Sequence, residues 1–172
     1  MISIVLIGPE SSGKTVLSEY LADHFETIWV EEYLREHFNQ FSSVLEEKML
    51  EIAQKQRKNE EKGEETAENI VFFDTNLVTL KVYHELYFDS LAFWFRELYH
   101  RKNYTHYLLL KPDIPWVDDG QRDMKDHRDA IFSLFESQLL MLECPFSVVS
   151  GDFDQRKAMA VELVNEIIQS VG

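Results

Sequence analysis

The chain has 172 residues, with 17 Lys+Arg against 31 Asp+Glu and a formal net charge of −14. That length suits one domain with a substantial buried core, and 45% apolar with 13% aromatic residues excludes a disordered tail. The acidic balance argues against a protein whose task is to hold a nucleic-acid backbone, because such binding rests on Lys and Arg neutralising phosphates.

Met1 leads directly into an apolar run, Ile2–Ile7, with no basic segment before it. No signal peptide is therefore expected, and a cytoplasmic location is. Nowhere does the chain approach the roughly 20 apolar residues of a membrane span, so no membrane partner is expected either. Ile2–Ile7 reads as a first strand. Gly8-Pro9-Glu10-Ser11-Ser12-Gly13-Lys14-Thr15 follows it and opens a helical pattern of Leu17, Leu21, His24 and Phe25. Strand, glycine-rich loop and helix at this spacing form a P-loop. Gly8 and Gly13 let backbone amides turn onto phosphates, and the helix N-terminus adds the positive end of its dipole. Lys14 can reach the β- and γ-phosphates, and the Thr15 hydroxyl can ligate Mg²⁺. The segment Gly8, Glu10, Ser11, Ser12, Gly13, Lys14, Thr15 and Val16 is the expected ATP cradle.

Thr27–Val30 reads as a second strand, ending in Glu31-Glu32-Tyr33-Leu34-Arg35-Glu36. Glu32 is either a carboxylate that orients or deprotonates a substrate hydroxyl or one acidic residue of a helix's first turn. Tyr33 can stack on an acceptor ring, and Arg35 can pin an anionic group. Ser43 and Glu46 have capping-box spacing before a long helix through Gln56. The polar run Asn59–Asn69 reads as a solvated helix end and loop with Gly63 as a C-cap.

Ile70–Asp74 is a third strand delivering a carboxylate to its C-terminal edge. Asp74 is a candidate for the magnesium shell, or for the cap of a helix starting near Asn76. The aromatic residues Tyr83, Tyr87, Phe88, Phe93, Trp94, Phe95 and Tyr99 read first as core, or as a wall shared with a second copy of the chain in a homo-oligomer, and less readily as a cofactor box. A fourth strand, His106–Leu110, leads to Trp116-Val117-Asp118-Asp119-Gly120-Gln121-Arg122-Asp123 and on to Arg128. Arg122 and Arg128 can close over phosphates, Asp118 and Asp119 can bind ribose hydroxyls, and Trp116 can stack on a base. Phe132, Phe135, Leu139 and Leu142 mark a helix. The one cysteine, Cys144, permits no intrachain disulfide and no multi-cysteine metal site. Phe146–Val149 is a fifth strand, and Asp152 suits the N-cap of a last helix through Val161, Val164, Ile168 and Val171. The six histidines never fall three or four apart, so a helical zinc pair is absent.

Strands alternating with helices predict an α/β three-layer sandwich, a P-loop NTPase fold with a five-stranded parallel sheet in the order 2-3-1-4-5. Ligands of such sheets bind beyond the carboxyl ends of the strands, where all these candidates fall.

Four segments together, Gly-Pro-Glu-Ser-Ser-Gly-Lys-Thr at 8–15, Glu-Tyr-Leu-Arg-Glu at 32–36, Phe-Phe-Asp-Thr-Asn at 72–76 and Trp-Val-Asp-Asp-Gly-Gln-Arg at 116–122, resemble the nicotinamide riboside kinase domain of the bacterial bifunctional NAD-salvage protein. The resemblance spans nearly the whole of 1–172 and belongs to a wider group of small AAA-like P-loop ATPases. It implies one kinase domain that takes ATP and Mg²⁺ at Gly13, Lys14 and Thr15. Asp74 falls in the metal or catalytic shell, Asn76 beside the acceptor, and Arg122 in a lid. The acceptor it implies is the riboside 5′-hydroxyl, and the product nicotinamide mononucleotide. The chain departs from that family at Val16, where a second hydroxyl residue is frequent, at Asn76, where Asp is common, and at Leu34, where a small residue is common. Two other readings use the same P-loop: a regulatory ATPase switch, and a kinase of another nucleoside or of a nucleotide.

Overall fold

The computed structural model describes residues 1–41, 43–117 and 124–171, with the backbone alone at residue 102. Strands β1 (Ile2–Ile7), β2 (Ile28–Val30), β3 (Ile70–Asp74), β4 (His106–Leu110) and β5 (Phe146–Val149) form one parallel sheet in the order β2-β3-β1-β4-β5. This is the expected order. Register pairs Leu6 with Asp74 and with Leu108, so the C-terminal ends of β1, β3 and β4 finish on one edge.

The central strands are apolar at almost every position because each faces a core on both sides. Their alternation sorts residues between two cores. Ile4, Leu6, Ile70, Phe72, Leu108 and Leu110 point to one face, where α1 (Lys14–His24) and α7 (Phe153–Val171) lay down Leu17, Leu21, Ala160 and Val164. Val5, Ile7, Val71, Phe73, Tyr107 and Leu109 point to the other. There α3 (Met49–Thr66), α4 (Leu77–Phe88) and α6 (Arg128–Met141) contribute Met49, Ile52, Leu77, Val78, Ile131 and Phe135. The shorter helices α2 (Tyr33–Phe41) and α5 (Phe95–Leu98) complete this layer.

One helix end behaves as expected and three do not. Asp152 caps α7 by accepting from the Gln155 N–H at 2.9 Å, while Gln155 accepts from the Asp152 N–H at 3.0 Å, a reciprocal capping box. Near Asn76, the helix cap is Asn76 itself and not Asp74: its side chain accepts from the Val78 N–H. The Ser43–Glu46 capping box does not form. A single 3₁₀ turn, Glu46–Lys48, precedes α3, and Glu46 accepts from the Ser90 hydroxyl instead. Nor is Gly63 a C-cap. α3 runs on to Thr66, and a Cβ at Gly63 would lie 2.4 Å from Val30 Cγ2, so glycine here lets the helix press on β2. The 59–69 run is correspondingly only half solvated, for Glu60 is fully buried within it.

Among the described residues, no helix is long and apolar enough to cross a membrane.

Candidate functional site

The loop between β1 and α1 wraps the sheet's C-terminal edge. Gly8 has φ 156°, and a Cβ there would sit 2.7 Å from the Leu110 carbonyl oxygen. Gly13, with φ 84°, occupies the left-handed region as N-cap of α1, which side chains rarely adopt. These two positions hold the loop tight enough for its amides to converge. Lys14 folds back over it, donating from Nζ to the Gly8 and Pro9 carbonyls at 3.0 and 2.9 Å. Burial pulls its pKa below the usual lysine value, with the Glu32 and Asp74 charges acting in the opposite direction.

Asp74, 2% exposed at the end of β3, accepts from the Thr15 hydroxyl at 2.5 Å through Oδ2. Its Oδ1 is buried without a partner. A hydroxyl and a carboxylate with an unsatisfied oxygen side by side are hard oxygen donors of the kind Mg²⁺ takes alongside phosphate oxygens. These residues fit the ion expected from the sequence. Glu32, at the end of β2, accepts from the Thr75 hydroxyl at 3.4 Å and faces Arg35 at 3.9 Å. Burial and then the neighbouring Asp74 charge push its pKa up, opposed by Lys14 and Arg35. Asp74 is raised as well, by burial, with Lys14 and the Thr15 hydrogen bond opposing.

A cleft of about 670 Å³ opens from this cradle. Glu10, Ser11, Ser12, Gly13, Lys14, Thr15 and Val16 line one end, with Glu32 and Arg35 beside them. The far wall is Leu34 and Phe38 of α2, Val44 and Met49 beyond it, and Tyr83, His84, Tyr87 and Phe88 of α4.

Several sequence expectations change here. Tyr33 does not line the cleft; its side chain packs on the core, and its N–H donates to Gln56. Asn76, fully buried, donates to the Tyr107 hydroxyl at 2.8 Å while capping α4, so both ends of its amide are spent on structure. Arg128 ties the loops together: it donates to the Ile114 and Ser11 carbonyls, each at 3.0 Å, and lies 5.8 Å from the centre of the Trp116 ring. Trp116 is thus a seat for Arg128, and neither lines the cleft. Asp118, Asp119 and Arg122 lie outside the described residues.

Two features had escaped the sequence reading. The sequence reads the far wall mainly as core and only secondarily as a cofactor box, although Tyr83/Tyr87 and His84/Phe88 have the i, i+4 spacing that puts each pair on one helix face. The second is Arg156, which the sequence reading does not single out. It is 1% exposed and donates to the carbonyls of Ser12 at 2.7 Å, Gly151 at 2.7 Å and Lys111 at 2.8 Å, besides pairing with Asp113. It clamps the phosphate loop to the exits of β4 and β5, and nothing local in sequence announces that.

Comparison with known proteins gives a consistent picture. A family model described as AAA domain (AAA_28) matches residues 3–156. The trifunctional NAD biosynthesis/regulator protein NadR of Salmonella typhimurium is 28% identical over 180 residues, covering 99% of this chain and 43% of that protein. The chain thus spans less than half the length of that relative. Among solved structures, a NadR protein in complex with NR superposes with a TM-score of 0.82 at 24% identity, over 96% of this chain and 51% of that one. The same fit, 0.82 at 21% identity, is found for NadR with NAD and AMP-PNP, over 96% of this chain and 49% of that one. Deoxyadenosine kinase from M. mycoides with bound dATP gives 0.63 at 13% identity, covering 96% and 100%. The fold is that of P-loop kinases.

Proposed function

The chain belongs to the AAA domain family (AAA_28), and from its cleft we propose that it is an ATP-dependent kinase of a small nucleoside, with nicotinamide riboside as acceptor. The observation that carries this reading is continuity. One cleft joins a phosphate cradle to an aromatic wall, with Glu32 between them. A switch ATPase needs the first part and has no use for the second.

In this reading the Gly8–Thr15 loop and Lys14 hold the ATP phosphates. Thr15 and Asp74 would hold Mg²⁺, which supplies charge neutralisation at those phosphates. The acceptor's 5′-hydroxyl oxygen bonds to the γ-phosphorus as the bond to the β-phosphate oxygen breaks, and ADP leaves. We assign the hydroxyl proton to Glu32, whose raised pKa makes it a better base than an ordinary exposed carboxylate. Phe38, Tyr87 and Phe88 line the same cleft as the Glu10 and Glu32 carboxylates, and a flat pyridinium gains from both aromatic and anionic surroundings.

A nucleotide acceptor is disfavoured by charge. Among the described lining residues the fixed cations are Lys14 and Arg35, and Arg35 faces Glu32. The NAD biosynthesis named for the NadR relative, and the NR bound in a NadR structure, are in keeping with nicotinamide riboside. The test is ADP release from Mg-ATP with nicotinamide riboside, a nucleoside panel and the nucleoside monophosphates. Stimulation by nicotinamide riboside above every other acceptor is expected. Hydrolysis indifferent to all of them would return the chain to the class of regulatory ATPases.

A further inference from the structure

His84 stands on α4 at the acceptor wall, next to Tyr87 and Phe88. It is 4% exposed, with its ring set edge-on to Phe88 and Trp94 at centroid distances of 5.3 and 6.0 Å. Its Nε2 lies 3.0 Å from the Ser90 hydroxyl oxygen. The single hydrogen of that hydroxyl goes to Glu46 Oε1 at 2.5 Å. The Ser90 oxygen must therefore accept from His84, which puts the ring proton on Nε2 and leaves Nδ1 as a bare lone pair. Nδ1 is buried and has no partner. A buried acceptor without a donor is costly to maintain, and because His84 lines the cleft, a donor on a molecule bound there is a group that could satisfy it.

We infer that His84 is a specificity residue that accepts a hydrogen bond from an N–H on the acceptor's flat ring, so that amide-bearing ribosides are selected over their carboxylate counterparts. This rests on reading the cleft as the site of an acceptor riboside. A carboxamide can donate to Nδ1. A carboxylate in its place sets lone pair against lone pair, in a cleft that already holds Glu10 and Glu32. Burial holds the imidazole below its usual pKa against the opposing Glu46 and Glu85 charges, so at neutral pH the ring is an acceptor and not a cation. The Glu46–Ser90–His84 relay joins the turn before α3 to the end of α4, and its role is to fix the tautomer.

The experiment compares kcat/KM for nicotinamide riboside and nicotinic acid riboside with Mg-ATP. A site built around a hydrogen bond rejects the analogue lacking the donor strongly, and a preference for the amide of ~30-fold or more is expected. His84→Leu should bring the ratio within about threefold. Ser90→Ala, which keeps the ring but removes its tautomer lock, should narrow the ratio by roughly three- to tenfold. Equal use of both ribosides by the unaltered chain, or a preference that survives both substitutions, overturns the inference. The ¹⁵N resonances of the ring decide independently, and they carry the test with Ser90→Ala should His84→Leu not fold. An Nε2–H ring whose Nδ1 responds to the amide riboside alone supports the assignment. An Nδ1–H ring, or a response to neither riboside or to both alike, overturns it. Absence of turnover with either riboside counts against the kinase reading, while the titration still decides the role of His84.

Discussion

The two ends of the cleft are built by different means. The phosphate end is one contiguous stretch of eight residues whose contacts run mostly to backbone. Lys14 donates to the Gly8 and Pro9 carbonyls, Arg156 to that of Ser12, and Arg128 to that of Ser11. The acceptor end gathers side chains from α2, the segment beyond it and α4, and it keeps an unpaired polar atom at His84 Nδ1. A phosphate is the same anion whatever carries it, so a backbone cradle suffices, and side-chain identity matters there at few positions. An acceptor ring differs from one substrate to another, and only side-chain identity can read it. Changes at the first end should therefore act on chemistry, and changes at the second on acceptor recognition.

The largest expected effect is at Lys14. Lys14→Ala removes the cation that meets charge developing on the transferred group, and turnover should fall by ~10³-fold or more. The thermal unfolding midpoint should move by only a few degrees, since the ammonium's partners are carbonyls at the cleft. Retained turnover would remove the cradle from the mechanism. Next comes Asp74→Asn, expected to cost about 10²-fold and to raise the magnesium concentration needed for half-maximal rate. Glu32→Gln should cost a similar factor with no change in magnesium requirement, because it removes a base and not a ligand. A magnesium shift in both variants would merge the two roles.

At the acceptor end, Phe88→Ala should raise the acceptor KM about tenfold through lost ring contact. The KM for ATP should stay within twofold. Equal rises in both constants would show that the two ends are not separable.

The sequence disclosed these ends unequally for the same reason. Gly8 to Thr15 are neighbours in the chain, and strand alternation places Asp74 and Glu32 at strand ends, so local pattern sufficed for cradle, sheet order and carboxylates. Phe38, Met49 and Tyr87 converge only through tertiary packing, and a period of 3.6 residues cannot distinguish a helix face on the core from one on a cleft. Tyr33 and Trp116 misled because an aromatic near a strand end suits either stacking or packing. Asn76 sits where an acceptor residue was expected, but the unpaired N–H groups of α4's first turn claim its side chain first. Gly63 read as a helix stop because its partner, Val30, lies on a distant strand.

The smallest expected effect tests whether the acceptor end leans on a buried strut. Glu60 accepts from the Tyr104 hydroxyl at 2.7 Å, and from Gln56 and Arg57, each at 3.1 Å. Gln56 in turn accepts from the Tyr33 N–H at 2.8 Å, one residue after Glu32. Burial pushes the Glu60 carboxyl up to about 7, against the Tyr104, Gln56 and Arg57 interactions. In the unfolded chain it titrates near its ordinary 4.5. Between those values the folded state holds a proton that the unfolded state has released, so its contribution to stability is full below 4.5 and is lost as pH rises through about 7. Glu60→Gln stays neutral throughout and should remove on the order of 1–3 kcal/mol of that fall, measured as urea unfolding free energies at mildly acid and mildly alkaline pH. Parallel pH curves for the two proteins would show that Glu60 does not titrate in this range. If the strut serves the acceptor end, the same variant should shift the acceptor KM by roughly twofold and leave the KM for ATP as it was, since its hydrogen bonds reach α2 and not the phosphate loop.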